Sequence, residues 1–284
     1  MKNFLKAVGF LLLIGVIYLV TSFLVGIILG VIAAVKGISS LDDIMFFINS
    51  HTVNLVMLVN LMMLFFIWLL FLMRKEKSLI KYIRVKSLNP ENIFSFTIMA
   101  IVLNVCISAA VMSLEKVIDI EHFIVEHDNA IEAVASGNVF MTLLLVVFIA
   151  PLFEEVLCRG VILNDFRKSS HLMIAIIIQS IVFGVMHGNL IQGTYAFVIG
   201  IVFALYYLKH KNILVPIYLH MIFNLMGLLL GIRVLSEIMV RYSVIITIIS
   251  LGILMACLYN DFKDGKSLKD YNHAFDKDNY EEVS

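Results

Sequence analysis

Eight times in 284 residues this chain runs for about twenty positions with almost no charge, and few folds accommodate such a pattern. Backbone in hydrocarbon has no water to bond, so each segment must satisfy its own N–H and C=O groups, as an α-helix does. The runs fall at 7–35, 52–73, 94–114, 139–163, 171–188, 190–208, 212–231 and 241–259. The expected fold class is therefore all-α, a polytopic membrane helix bundle with about eight transmembrane helices. With 61% apolar and only 15% charged residues, most of the chain must have lipid as its solvent. Lys2 and Lys6 ahead of the first run resemble a signal peptide, but Ala7 to Val35 carries no charge. That stretch far exceeds an h-region of about 7–15 residues, so it is expected to stay as a helix. No linker tract or repeat divides the chain. Residues 1–260 are expected as a single transmembrane domain, and 261–284 as a charged, loosely ordered cytoplasmic tail.

Charge gives orientation but no soluble partner. The 21 basic and 21 acidic residues balance, and no basic run or stacking motif points to nucleic acid. Cys106, Cys158 and Cys257 lie far apart in apolar stretches and have neither disulfide nor metal-ligand spacing. Between the second and third runs stand Arg74, Lys75, Lys77, Lys81, Arg84 and Lys86 against Glu76 and Glu91. Between the third and fourth the sign reverses, with Asp119, Glu121, Glu126, Asp128 and Glu132 against Lys116. The positive-inside rule then makes the basic loops, including Arg167–Lys168 and Lys209–Lys211, cytoplasmic, with both termini on that side. The Lys-, Asn- and Ile-rich style suits a bacterial cell membrane. Residues 115–138 alternate apolar and acidic positions, which predicts a helix lying at the outer surface.

Ionisable groups are costly in hydrocarbon and usually functional there. Those well inside an apolar run are Glu154, Glu155 and Arg159 in the fourth, with His187 closing the fifth and His220 within the seventh. Glu155 and Arg159 are four apart and share a helix face, so Glu155 is the expected ion-pair partner. Glu154 lies five from Arg159, about 140° round the helix, and is left to face a cavity as a base. Phe183 and His187 are four apart, as are His220 and Asn224, which places an imidazole and a carboxamide one turn from each other. Pro151 and Pro216 precede Glu154 and His220 by three and four residues. Each is expected to open its helix beside the candidate residue. The glycines at 184, 188, 193, 200, 227 and 231 read as small-residue packing positions. Depth is the unresolved point. Counted from the cytoplasmic ends of their runs, Glu154 lies at ~15 Å and His187 at ~24 Å. A tilted fifth helix, or one that starts late, would reconcile the two.

Glu154-Glu155-x-x-x-Arg159, Phe183-x-x-x-His187 and His220-x-x-x-Asn224, in that order on successive apolar helices, resemble the CPBP family. That family holds the type II CAAX prenyl endopeptidases and the bacterial Abi proteins linked to bacteriocin processing and self-immunity. The resemblance spans about 139–229 and implies a membrane-embedded peptidase. It implies that Glu154 and His187 activate the attacking water, that His220 and Asn224 stabilise the oxyanion, and that Glu155 and Arg159 support the site. A neutral histidine and an asparagine can donate to an oxyanion without carrying a buried charge. Members are often called metalloproteases, and Glu154, His187 and His220 have the chemistry to ligate zinc. No HExxH-type pair shares one helix, so the metal question stays open. The implied substrate is a peptide or protein near the cytoplasmic leaflet. In a bacterial membrane a secreted peptide, leader or pheromone-like precursor is expected rather than a prenylated protein. The same polar set also suits a transporter or proton relay, or a non-catalytic immunity or regulatory partner.

Overall fold

A computed structural model describes residues 2–74, 78–135, 138–267, 269–273 and 275. Lys75, Glu76 and Lys77 of the first basic loop, and residues 276–284 of the tail, lie outside the described residues. The ten principal helices are α1 (Lys2–Val35), α2 (Leu41–Met73), α3 (Leu79–Tyr82), α4 (Pro90–Glu115) and α5 (Glu121–Ala135). They continue with α6 (Val139–Arg167), α7 (Leu172–Val185), α8 (Leu190–His210), α9 (Leu214–Leu230) and α10 (Arg233–Phe262). There is no strand among the described residues.

Helix boundaries follow local chemistry. Ser40 accepts the Asp43 N–H to start α2, and Asn89 accepts the Glu91 N–H, with Pro90 in the first turn of α4. Asn138 and Asn189 cap α6 and α8 in the same way. Lys211, at φ 49°, closes α8 in the left-handed conformation, with its N–H on the Tyr207 carbonyl. All eight apolar runs are helical, but they are not equivalent. Six of the helices are long and apolar enough to cross a membrane, whereas α7 has 14 residues and α9 has 17. The chain is a multi-pass membrane protein with two short helices inside the bundle.

Burial separates the lipid face from the core. α1 buries one stripe (Ala7, Ile14, Thr21, Val25, Leu29, Ala33) and leaves Leu12, Leu19, Phe23 and Ile28 uncovered. The 3.6-residue period explains the stripe; the remaining apolar surface is what a helix at the bundle edge offers to acyl chains. α10 is as open, and packs on α4. The centre is built from α6, α8 and α9, with Phe153, Phe203, Tyr206, Tyr207 and Leu219 fully buried or nearly so. α5 forms in the acidic segment and rests on α2 and α8.

The basic end of the bundle is tied by polar bonds rather than left as loops. Asp165 pairs with Arg74 at 3.0 Å and accepts from the Tyr82 hydroxyl. Asn164 donates to the carbonyls of Gly160 and Tyr82 and to the Tyr207 hydroxyl. Asn212 accepts the Lys86 N–H and donates to the Ser87 carbonyl, while Ile213 donates to the Arg84 carbonyl. The start of α9 is thereby hydrogen-bonded to the 84–88 segment. The stretch from 261 to 275, expected as a loose end, packs on this surface in its described part. Phe275 is buried between the guanidinium groups of Arg84 and Arg167 and accepts a hydrogen bond from Arg84 at its carbonyl. Lys209 reaches the Asp261 carbonyl and Tyr206 the Asp261 carboxylate.

α7 and α8 meet through glycine. A Cβ added at Gly184 would lie 2.6 Å from the Gly193 carbonyl oxygen, an atom of rigid backbone. Gly184→Val is expected to separate the two helices and destabilise the protein by about 1–3 kcal/mol. Gly252→Ala, where nothing lies within 4 Å, should leave stability unchanged. Thermal unfolding of both variants in detergent is the check.

Candidate active site

The centre of α6 is not a plain α-helix. Leu144–Ile149 and Val156–Leu163 are π-helical, on either side of an α-turn at Ala150–Glu155. Pro151 explains why the first register slips: it has no N–H to give one turn back. Gly160, in the second π segment, lies so close to α3 that a Cβ there would meet Ile83 Cγ2 at 2.8 Å. π turns of this kind widen a helix and cluster at functional sites.

Glu155 and Arg159 project from this helix into the core. Both side chains are wholly buried, and Arg159 Nη1 donates to Glu155 Oε1 at 2.8 Å. The guanidinium also lies over the Phe183 ring at 4.3 Å and the Phe203 ring at 5.5 Å, and Nη2 donates to the Gly200 carbonyl at 3.4 Å. Gln179 donates to the same carbonyl at 2.9 Å. One ion pair thus reaches α7 and α8 as well as α6.

His220 arrives from α9 and packs edge-to-face with Phe183 and tilted against Phe203, each with centroids 5.6 Å away. Its Nδ1 is 2.9 Å from Glu155 Oε1 and its Nε2 is 3.8 Å from Glu154 Oε2. Glu155, ionised against Arg159, can only accept, so Nδ1 of His220 carries a proton and donates it. In the neutral ring Nε2 is then an acceptor. It donates only as an imidazolium, and the carboxylate left to offset that charge is Glu154, since Glu155 is already balanced by Arg159. Glu154 is the less buried of the two carboxylates, its side chain 17% exposed against 0% for Glu155.

His187 lies in the turn just after α7. Its Nδ1 is 2.7 Å from the Phe183 carbonyl, which can only accept, so here too Nδ1 is the donor and Nε2 of the neutral ring is left as a base. The Phe183 ring stands edge-on to both His187, at 5.0 Å, and His220. No hydrogen bond joins His187 to Glu154; the two histidines meet through Phe183. Asn224, one turn beyond His220, donates its Nδ2 to the Val146 carbonyl in the first π segment at 2.8 Å.

The depth discrepancy has a structural answer. α6 continues to Arg167, placing Glu154 about 20 Å from that end, while His187 lies about 22 Å from the start of α7. His220 is about 9 Å along α9 from its start, which is hydrogen-bonded to the 84–88 segment. Pro216 does not open α9 either. It is the third residue of that helix, where a backbone N–H has no intrahelical partner anyway.

Gln179 and Phe203 were not singled out from the sequence. Gln179 stands alone among Ala175–Val182 with Ser180 as its only polar neighbour, a signal that a search restricted to ionisable groups passes over. Among the described residues no three His, Cys, Asp or Glu side chains are grouped to hold a metal ion. The Nδ1 contacts of His187 and His220 leave Nε2 of each as the ring nitrogen not engaged by the protein backbone or by Glu155.

Removing one member of a fully buried pair strands the other charge. Arg159→Ala or Glu155→Ala is therefore expected to cost about 3–5 kcal/mol, and the double variant less than the sum of the two. Denaturant unfolding of the three proteins measures this directly.

The comparisons with known proteins fall on the same block. Residues 136–226 match the family described as type II CAAX prenyl endopeptidase Rce1-like, a span that contains Glu154, Glu155, Arg159, His187, His220 and Asn224. An Escherichia coli protein described as an uncharacterized 24.3 kDa protein is 33% identical over 99 residues, which is 33% of this chain and 46% of that protein. From Bacillus subtilis (strain 168), the "Putative membrane peptidase YdiL" is 30% identical over 76 residues, 27% of this chain and 31% of that protein. The chain thus spans less than half the length of either relative. No solved structure matches it. Over residues 136–226, about a third of its length, the chain is similar to the type II CAAX prenyl endopeptidase Rce1-like family, and that likeness falls on the block that carries the buried polar cluster.

Proposed function

We propose that this protein is an intramembrane endopeptidase that hydrolyses a peptide bond with a water activated by Glu154 and His187. The observation that carries the reading is the convergence of Glu154, Glu155 and Arg159 on α6 with His220 on α9, within the block that matches the peptidase family. Hydrolysis needs a base for water and donors for the oxyanion. Glu154, the more open carboxylate, takes the proton as the water oxygen attacks the scissile carbonyl. The Nε2 lone pair of His187 orients the same water from the turn after α7. His220, oriented by Glu155 and with Glu154 as the counter-ion of its imidazolium, donates Nε2–H to the oxyanion, whose charge replaces the one Glu154 loses on taking the proton. Asn224 donates the Nδ2–H not used on Val146. Collapse of the tetrahedral intermediate breaks the C–N bond, and Glu154 returns its proton to the leaving nitrogen. The products are a carboxylate and an amine.

Glu155 and Arg159 support this site rather than react. The substrate is a peptide or protein segment presented from the side of the basic loops, which the positive-inside rule makes cytoplasmic, in a bacterial cell membrane with both termini on that side. No step requires a metal, since a carboxylate and an imidazole supply the base chemistry.

Among the described residues the polar contact of Glu154 is one long approach to His220, so Glu154→Gln should fold like the parent yet lose cleavage by about 10²–10⁴-fold, as should His187→Ala. The measurement is a comparison of new protein termini in membranes carrying the parent or the variant, with unfolding midpoints checked alongside. Cleavage that persists in Glu154→Gln rules out the reading. A cellular phenotype that persists with it would point to a binding partner instead.

A further inference from the structure

Val146 lies in the first π segment of α6, and its carbonyl has lost both of its ordinary helical partners. In an α register it would accept from Ala150, but the Ala150 N–H goes to the Leu145 carbonyl. In the π register it would accept from residue 151, which is proline and has no N–H. A carbonyl stranded at this depth is costly unless something donates to it. Asn224 does so through Nδ2 at 2.8 Å. Only the nitrogen of that carboxamide can face a carbonyl, so the bond fixes which way the side chain is turned. Oδ1 points away, and the second Nδ2–H, which makes no other hydrogen bond among the described residues, is set at a defined angle one turn from His220.

We propose that Pro151 is a positioning residue for the oxyanion site: by withholding an N–H from Val146 it creates the acceptor that locks Asn224 in its donating orientation. Proline at this place acts on a side chain 73 positions away through one orphaned carbonyl. The proposal rests on the hydrolase reading above and adds to it a reason why the α6 register must slip.

Pro151→Ala restores an N–H within reach of Val146 and should release Asn224. In the full-length protein the expected result is a fall in kcat of about tenfold to a hundredfold with KM unchanged, below the loss for deleting an oxyanion donor outright. The double variant Pro151→Ala/Asn224→Ala should be no slower than Asn224→Ala alone, because both changes remove the same interaction. A merely structural proline would give additive losses and a lower unfolding midpoint. Independently of activity, a 13C=18O label on the Val146 carbonyl should move to higher amide I frequency in Asn224→Ala. In the Pro151→Ala background the same Asn224 change should leave it still. A Val146 band indifferent to Asn224→Ala overturns the brace, whatever the protein hydrolyses. An altered band with unchanged kcat in Pro151→Ala overturns the positioning role. Absence of cleavage by the parent protein, with the infrared response intact, counts against the hydrolase reading and so against positioning, while leaving the bond itself established.

Discussion

Everything at the centre of this bundle depends on one carboxylate oxygen. Glu155 Oε1 accepts from Arg159 on its own helix and from His220 on α9, with no solvent exposure at either Glu155 or Arg159. An isolated charge in hydrocarbon is prohibitive, but a carboxylate and a guanidinium together are neutral as a set. Excess stabilisation is not the reason to keep such a pair, since apolar residues of similar volume would often serve as well. Its value lies in what it orients. The guanidinium draws in the Phe183 and Phe203 rings and the Gly200 carbonyl, which fixes α7 and α8. The carboxylate fixes the tautomer of His220.

Two histidines with the same tautomer therefore face different partners. His187 donates to a backbone carbonyl, which has no net charge. His220 donates to a carboxylate already balanced by Arg159, and has a second carboxylate, Glu154, 3.8 Å from its other ring nitrogen. Identical side chains are thereby set in different electrostatic surroundings, with the Phe183 ring in contact with both. Glu155 Oε2 and Arg159 Nε, both buried and without a hydrogen bond among the described residues, mark how far this cluster departs from an ordinary satisfied core.

The i, i+4 relation of Glu155 and Arg159 was legible in the sequence because both residues lie on one helix, where spacing alone decides which side chains meet. The bundle was legible for a similar reason: apolar runs are local, and hydrocarbon allows few alternatives to helix. The π turns were not. Pro151 announces that a carbonyl will be lost, but which one depends on Asn224 arriving from another helix. Depth was misjudged for the same kind of reason. The start of α9 is set by Asn212 bonding to Lys86 and Ser87, over 120 residues earlier in the chain. The packing of Phe275 between Arg84 and Arg167 likewise needs two side chains that no sequence period connects. Roles for Glu154, His187, His220 and Asn224 came from the order of three short motifs; the contacts that distinguish the histidines came only from the fold.

The brevity of α7 bears on where hydrolytic water comes from. Fourteen residues extend about 21 Å, well short of a hydrocarbon layer ~30 Å thick. A bilayer meeting such a helix must pinch inward or let polar loop atoms sink below the headgroups. His187 stands in the turn that closes this short helix, so the dimple would form at its door. Under the hydrolase reading proposed above, water would then reach the site by a short path from that end rather than through a long channel.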